Sequence, residues 1–214
     1  MERLICVIIG YILGLVQTGY IYGKMNHVDI RQHGSGNAGT TNALRTLGWK
    51  AGIITFVGDC LKCVLAVVIV RLIFSQDIHV ELYVMYAGLG AVLGHNYPFY
   101  LKFKGGKGIA STAGLILAVS PIQFFIVVAV FISIVLITQY VSVGSVVIMI
   151  LFVIMVFVSG QLGWLHLPIG DLYEYYAIVI ILAVLAIWRH RANIKRLING
   201  TENKTDVRKI GKKS

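Results

Sequence analysis

Charged side chains are scarce in this sequence, and their scarcity excludes most soluble folds. Asp, Glu, Lys and Arg make up 13% of the 214 residues, whereas about 25% is usual in soluble chains. The mean hydropathy is +0.82, and the long apolar runs match the roughly 20 residues that a helix needs to cross a hydrocarbon core of about 30 Å. The runs do not alternate with polar residues as barrel strands do. We therefore predict an all-α integral membrane protein.

Acidic residues and cysteines are also few. Nine Asp and Glu stand against 19 Lys and Arg, which gives a net charge of +10. The three cysteines, Cys6, Cys60 and Cys63, all lie in apolar segments. No second cysteine pair or histidine cluster completes the Cys60-x-x-Cys63 spacing, as a metal site would require. We expect buried structural thiols, no metal and no cofactor.

Seven apolar segments predict about seven transmembrane helices. They lie near residues 4–22, 51–74, 82–100, 109–120, 122–137, 143–164 and 172–188. The fourth segment reaches only about 18 Å at 1.5 Å per residue, and Pro121 favours a helix start directly after it. Five full spans with a re-entrant pair over 109–137 is therefore the alternative.

The basic residues indicate the orientation. With seven crossings and the N-terminus outside, every Lys and Arg except Arg3, Lys62 and Arg71 falls at the cytosolic face, as the positive-inside rule requires. We predict a cytosolic C-terminus and an active site at the cytosolic face. The net charge then reflects topology and attraction to anionic lipid, so no nucleic-acid partner is expected. Residues 1–202 should form one transmembrane domain and 203–214 a basic tail, with the chain mobile from about 199.

The first polar segment expected at that face is GSGNAGTTNALRTLG, residues 34–48. Gly34, Gly36 and Gly39 are expected to adopt positive φ, and successive N–H groups in such turns form anion-binding concavities. Arg45 adds a fork suited to a phosphate or a carboxylate, and a helix starting near Thr41 would direct its positive end at the same anion. The neutral donors are Ser35, Asn37, Thr40, Thr41 and Asn42.

The second and third segments repeat this chemistry. In GHNYPFYLKFKGGKGIAS, residues 94–111, Lys104 and Lys107 flank two glycines, and a helix should follow directly. In RHRANIKRLINGTE, residues 189–202, His190 and Asn193 are i, i+3 on one face of the last helix. Further candidate binding residues are His95, Asn96, Gly105, Gly106, Ser142 and Ser145. Cationic, donor-rich loops with few acids predict a ligand that carries phosphate.

Asp59 and Lys62 are a separate feature inside the second apolar segment. At i, i+3 they are expected to pair within the membrane, where ions are either functional or structural. We assign them no chemical step.

Four motifs resemble one enzyme family. GSGNAGTTNALR, GHNYPFYLKFKGGKG and RHRANIKRL are similar, in this order, to the signature segments of bacterial acyl-phosphate:glycerol-3-phosphate acyltransferases, the PlsY family. GDCLK, residues 58–62, resembles the family's polar spot in the second span. The likeness runs from the first span to about Glu202. It implies a seven-span enzyme of the bacterial inner membrane that moves a fatty acyl group from acyl phosphate to the sn-1 hydroxyl of glycerol 3-phosphate, giving lysophosphatidic acid and phosphate.

The same resemblance implies roles for individual residues. Lys104, Arg45, His190 and Asn193 would hold glycerol 3-phosphate and orient its hydroxyl. Ser35, Asn37 and the backbone of 36–41 would face acyl phosphate. Further phosphate ligands would be Lys107, Ser142 and Ser145. The catalytic set is thus Ser35, Arg45, Lys104, His190 and Asn193, and the binding set adds Gly36, Gly39, Thr41 and Asn42 to the residues already named.

Two alternatives stay open at this point. The proton acceptor is either His190, with an intrinsic pKa near 6.5, or a phosphate oxygen of the acyl phosphate itself. No acyl-enzyme is expected, because the cysteines lie in apolar segments and Ser35 has no His–Asp relay.

The rival function is a transporter or lipid-binding protein for phosphorylated metabolites, which would place its site near the bilayer midplane. The expected partners are the two substrates and membrane lipid, and the oligomeric state stays open, with a monomer as one form.

Overall fold

The computed structural model describes residues 1–205, and the regular elements over this range are helices. In chain order the α-helices are α1 (Glu2–Gly14), α2 (Thr18–Met25), α3 (Thr40–Leu47), α4 (Trp49–Ile73), α5 (Val80–Asn96), α6 (Ile109–Val119), α7 (Pro121–Thr138), α8 (Val141–Gln161), α9 (Leu172–Arg189) and α10 (Arg191–Ile198). Short 3-10 turns lie at Ile30–Gln32, Phe99–Leu101 and Ile169–Asp171. The chain divides into two compact units, Met1–Val119 and the remainder from Ser120.

Several helices are long and apolar enough to cross a bilayer. Within residues 1–205 these are the five stretches Glu2–Met25, Trp49–Ile73, Pro121–Thr138, Val141–Gln161 and Ile169–Arg189. Large apolar side chains stand exposed on them, among them Ile12, Leu61 and Phe125, as a lipid-facing surface requires. The all-helical membrane fold is therefore confirmed.

The number of spans and their orientation stay predictions. The first stretch contains α1 and α2, which are separated by a break at 15–17. The helix α5 has 17 residues and α6 has 11, so α6 alone reaches only about 17 Å at 1.5 Å per residue. The helix α7 has 18 residues, which favours a full span for it over half of a short re-entrant pair.

In the first unit, α1 and α5 pack backbone to backbone. An added Cβ at Gly10, Gly14, Gly90 or Gly94 would collide with a carbonyl oxygen of the other helix. Small residues permit this close approach between helices in a membrane. The contact fixes the end of α5, where the second polar segment begins, against α1.

The cysteines of this unit are buried, as predicted. Cys6, Cys60 and Cys63 carry free thiols in the interior. The Cys60 Sγ lies 3.0 Å from the carbonyl oxygen of Ala110, so it joins α4 to the start of α6.

In the second unit, α7, α8 and α9 pack in sequence. Pro121 opens α7, as predicted, and the Ser120 hydroxyl accepts a hydrogen bond from the Gln123 backbone at 3.4 Å. The Gln123 amide donates to the Ser159 hydroxyl at 2.9 Å. The rings of Phe157 and Tyr176 stack with centroids 4.0 Å apart, which joins α8 to α9.

The end of the last long helix differs from the prediction. His190 separates α9 from α10, so His190 and Asn193 do not lie on one uninterrupted helix. The expected mobility from 199 is also wrong for 199–205, because Glu202 is buried and the Thr205 backbone donates to the Gln139 carbonyl at 2.8 Å. Residues 206–214 of the predicted tail lie outside the described residues.

Candidate functional site

The first polar segment folds around Asn42. Its amide nitrogen donates to the carbonyl oxygens of Ile30 at 2.7 Å and His33 at 3.1 Å. Its amide oxygen accepts from the Ser35 backbone at 2.8 Å, and the side chain is buried. Asn42 therefore holds the turn together. This use differs from the predicted role in binding substrate, because both ends of the amide are engaged within the turn.

The glycines of this segment have two different uses. Gly34 and Gly36 adopt φ of +59° and +70°, as predicted. Gly39 does not: its φ is −93°, and it directly precedes α3. The helix begins at Thr40, one residue before the predicted start, so its N-terminus lies beside the turn as expected.

The predicted binding side chains lie at this turn and on α3. Ser35 and Arg45 are exposed, and Asn37 and Thr41 are half-buried. Thr41 and Arg45 are i, i+4, so they share one face of the helix. Arg45 is the exposed member of this face.

Arg31, just before the segment, is already paired. Its guanidinium donates to the Asp29 carboxylate at 3.0 and 2.8 Å, and this hydrogen bonding lowers the pKa of Asp29 to about 2. The guanidinium also lies 4.5 Å from the ring centroid of Tyr20. Arg31 is therefore held by Asp29 and Tyr20 just outside the first polar segment.

The second segment folds back on the end of α5. The backbone N–H groups of Gly105 and Gly106 donate to the carbonyls of Asn96 and His95 at 3.2 and 3.1 Å. These N–H groups therefore do not form the predicted anion cradle. An added Cβ on Gly106 would collide with the His95 imidazole. We call residues 104–107 the double-glycine turn, and only residues without a side chain fit at its centre.

Cationic side chains stand at both ends of the double-glycine turn. Lys104 is exposed and Lys107 is half-buried. Gly108 has a φ of +83° and α6 begins at Ile109, as predicted, so the positive end of a helix lies beside the lysines. Asn96 is fully buried, neither atom of its amide is hydrogen-bonded within residues 1–205, and a Cβ on Gly108 would lie 3.0 Å from its oxygen. Unmet hydrogen-bonding capacity here fits the prediction that Asn96 binds substrate.

Asp59 and Lys62 form the predicted ion pair, and His95 joins them. The Lys62 Nζ lies 3.0 Å from the Asp59 Oδ1, as an ion pair without the directional geometry of a hydrogen bond. The same Nζ lies 2.8 Å from the His95 Nδ1. No pattern within α4 indicates this third member, because His95 comes from another helix.

In the second unit, His190 lies buried at the break between α9 and α10. Its Nδ1 is 2.8 Å from the carbonyl oxygen of Ala186. Because a carbonyl oxygen only accepts, Nδ1 carries the proton, and in a neutral imidazole Nε2 then holds the lone pair. His190 is therefore prepared to accept a hydrogen bond at Nε2.

Glu202 is the residue that the sequence reasoning missed. Its carboxylate accepts from the Asn193 amide at 2.6 Å, from the Ser142 hydroxyl at 3.0 Å and from the Arg196 guanidinium at 2.7 Å. It thereby joins α10 to the start of α8. The available signal was a single acid closing a strongly basic stretch. The hydroxyl of Ser145, in contrast, bonds the Val141 carbonyl of its own helix at 2.9 Å.

The surroundings of Glu202 also set its ionisation. Burial works to raise the pKa of this carboxyl, but the hydrogen bonds from Asn193, Arg196 and Ser142 together outweigh burial, so the pKa lies below its usual value. Glu202 is therefore an anion at neutral pH. Asn193 and Ser142, both predicted to bind substrate, are thus oriented by one carboxylate.

Known proteins are similar to this chain over most of its length. A family model described as glycerol-3-phosphate acyltransferase matches residues 4–200. A glycerol-3-phosphate acyltransferase of Clostridioides difficile (strain 630) is 44% identical over 216 residues, covering 98% of this chain and 96% of its own length. One of Thermoanaerobacter sp. (strain X514) is 40% identical over 205 residues, covering 95% and 96%.

Solved structures are also similar over almost the whole chain. The glycerol 3-phosphate form of PlsY (YgiH), an integral membrane glycerol 3-phosphate acyltransferase, superposes with a TM-score of 0.84 at 35% identity and 98% coverage of both chains. Its lysophosphatidic acid form gives 0.81 at 35% identity and the same coverage. The match to the family model and the similarity in sequence and fold show the family. The chain belongs to the glycerol-3-phosphate acyltransferases, the family of the integral membrane enzyme PlsY.

Proposed function

We propose that this protein transfers a fatty acyl group from acyl phosphate to the sn-1 hydroxyl of glycerol 3-phosphate, releasing lysophosphatidic acid and phosphate. The solved relative is named in forms with glycerol 3-phosphate and with lysophosphatidic acid, which are the acceptor and product of this reaction. The chain's membership in an acyltransferase family sets aside the transport alternative.

The observation that carries the proposal is the double-glycine turn. Two lysines flank it, the start of α6 adds a positive end, and the buried Asn96 amide has unmet hydrogen-bonding capacity. The α6 helix that follows is apolar. A ligand that joins a phosphate to a fatty chain matches this combination, since an acyl chain gains about 0.8 kcal/mol per buried CH₂. Acyl phosphate and the acylated product both have this character.

Other predicted residues receive roles within this proposal. Arg45 and Lys104 bind the phosphate of glycerol 3-phosphate, and His190 and Asn193 orient its hydroxyl. Ser35, Asn37 and Thr41 of the first segment bind acyl phosphate, with Lys107 and the Ser142 turn as further phosphate ligands. The backbone of Gly36 is part of the same turn.

The transfer needs no covalent enzyme intermediate. The sn-1 oxygen forms a bond to the acyl carbonyl carbon, and the bond from that carbon to the phosphate oxygen breaks. The hydroxyl proton passes either to the His190 Nε2 or to the departing phosphate. Preorganised donors that stabilise the developing negative charge are each worth about 2.7–4 kcal/mol.

The setting of the reaction is part of the proposal. We infer a bacterial inner-membrane enzyme with seven spans, an external N-terminus, and a site at the cytosolic face. The residues of 1–202 act as one transmembrane domain, and a monomer suffices for the reaction.

Phosphate release by the purified protein in lipid tests the function. We expect release only when acyl phosphate and glycerol 3-phosphate are both present, because the site binds two phosphate groups. Acyl-CoA and acyl carrier protein serve as donor controls, and glycerol as the acceptor control. Equal rates with glycerol would contradict binding of the acceptor phosphate, and equal rates with acyl-CoA would contradict the donor.

The double-glycine turn gives a second test. Gly106→Ala should lower kcat/KM for glycerol 3-phosphate by about tenfold or more, because the new Cβ collides with the His95 imidazole and displaces the adjacent lysines; misplacement by about 1 Å can cost a hundredfold. Gly170→Ala is the matched control, since its Cβ meets nothing within 4 Å. Similar activity in both variants would show that the turn's position is unimportant.

A further inference from the structure

A buried cluster of three ionisable side chains lies directly below the double-glycine turn. Asp59 and Lys62 of α4 and His95 of α5 have side chains that are 1%, 4% and 3% exposed. The Lys62 ammonium lies 2.6 Å from the Val16 carbonyl oxygen, 2.8 Å from the His95 Nδ1 and 3.0 Å from the Asp59 Oδ1. The Lys62 ammonium thus contacts His95 of α5 and the break between α1 and α2, and it forms an ion pair with Asp59 of its own helix.

The chemistry of this cluster specifies one tautomer of His95. An ammonium has three donors and no acceptor, so the His95 Nδ1 must accept from Lys62. The imidazole proton then resides on Nε2. If His95 were also protonated, its Nδ1–H and the Lys62 ammonium would be two donors facing each other. With a neutral His95, the single negative charge of Asp59 balances the single positive charge of Lys62.

The protonated side of the ring faces the double-glycine turn. The His95 Nε2 is the atom nearest to a Cβ added on Gly106. The His95 carbonyl accepts from the Gly106 N–H at 3.1 Å and from the buried Gln17 amide at 3.1 Å. Both the ring and the backbone of His95 therefore contact the double-glycine turn.

We propose that Lys62, held by Asp59, is a positioning residue that fixes His95 as its Nε2–H tautomer and so sets the position of the double-glycine turn. The cluster touches no reacting atom and acts through His95 on the placement of Lys104 and Lys107. The effect on catalysis rests on the proposed function of this turn in binding substrate phosphate. The assignment of the His95 tautomer does not depend on that proposed function.

Nitrogen NMR of histidine-labelled protein tests the tautomer directly. The chain has six histidines, and the His95→Gln variant identifies the signals of His95 by their loss. We expect an Nε2–H tautomer in the wild-type protein. The double variant Asp59→Asn/Lys62→Met removes both charges together, and its His95 should show the Nδ1–H form or a mixture. An Nδ1–H tautomer in the wild-type protein, or an unchanged spectrum in the double variant, overturns the proposal.

Two substitutions of His95 test the consequence for catalysis. The amide nitrogen of Gln reaches the position of Nε2, whereas that of Asn reaches the position of Nδ1. His95→Gln should therefore keep at least tenfold more kcat/KM for glycerol 3-phosphate than His95→Asn, with the difference chiefly in KM. Equal losses in the two variants would contradict the assignment of the imidazole proton to Nε2.

A double-mutant cycle separates positioning from general stability. Asp59→Asn/Lys62→Met should raise KM about tenfold in the wild-type background and less than about twofold in the His95→Gln background, because interacting residues are not additive. The same fold-change in both backgrounds overturns an action through His95. If the double variant does not fold, the wild-type spectrum and the Gln–Asn comparison still decide. The spectra do not depend on the acyl donor. Failure of the proposed function can therefore be distinguished from failure of the tautomer assignment.

Discussion

Replacing Lys104 by alanine is expected to lower kcat/KM for glycerol 3-phosphate by about 10²–10³-fold, the usual loss for one preorganised donor in an active site. Lys104 is exposed at the end of the double-glycine turn, next to the N-terminus of α6. Because it is exposed, its removal should change the free energy of unfolding by no more than about 0.5 kcal/mol. Steady-state kinetics in lipid, with thermal unfolding in parallel, measure the two effects separately.

Lys102 provides the matched control for this variant. It lies two residues away in the same segment, carries the same charge and is also exposed. Lys102→Ala should retain activity within about threefold, since a charge screened by solvent contributes little over distance. Equal losses in the two variants would mean that the segment acts only through its overall charge and that Lys104 has no specific contact with substrate.

Replacing Glu202 by glutamine is expected to destabilise the protein and to reduce turnover together. The carboxylate accepts three hydrogen bonds, and the amide NH₂ of glutamine would oppose one of the donors. An unsatisfied buried polar group costs about 1–3 kcal/mol. Asn193 would lose its fixed orientation as well, so kcat should fall more than tenfold. Thr201→Ala, at an exposed neighbouring position, should change neither property.

The pH dependence supplies an internal check on this explanation. The pKa of Glu202 is lower in the folded protein than its usual value, so its stabilising contribution is present above the unfolded pKa of about 4.3. The contribution is lost as the pH falls through the folded pKa. The difference in unfolding temperature between wild type and Glu202→Gln should therefore be full at pH 7 and shrink below about pH 4. A difference that stays constant over this range would contradict the ionic role.

Local chemistry explains which features of the site were predictable. The start of α6 follows from Gly108, whose positive φ suits glycine, and the start of α3 follows a glycine-rich turn. The pairing of Asp59 with Lys62 follows from i, i+3 spacing on one helix. Each of these depends on residues close together in the chain.

The features that were missed depend on contacts between distant residues. No glycine or proline marks the break at His190 in the sequence. Three residues later, the Asn193 amide shares the Glu202 carboxylate with Ser142 of another helix. The N–H groups of Gly105 and Gly106 were expected to face a ligand, but the carbonyls at the end of α5 take them. No pattern in a single segment encodes such pairings.

The break between α1 and α2 gives the start of the chain an unexpected importance. Val16 contributes its carbonyl to Lys62, and Gln17 contributes its amide to the carbonyls of Gly94 and His95. The segment that joins α1 to α2 therefore supports the end of α5, next to the double-glycine turn. Removing or replacing the residues before 18 would keep Lys104 and Lys107 in the chain. It would remove contacts that fix the position of the double-glycine turn between them.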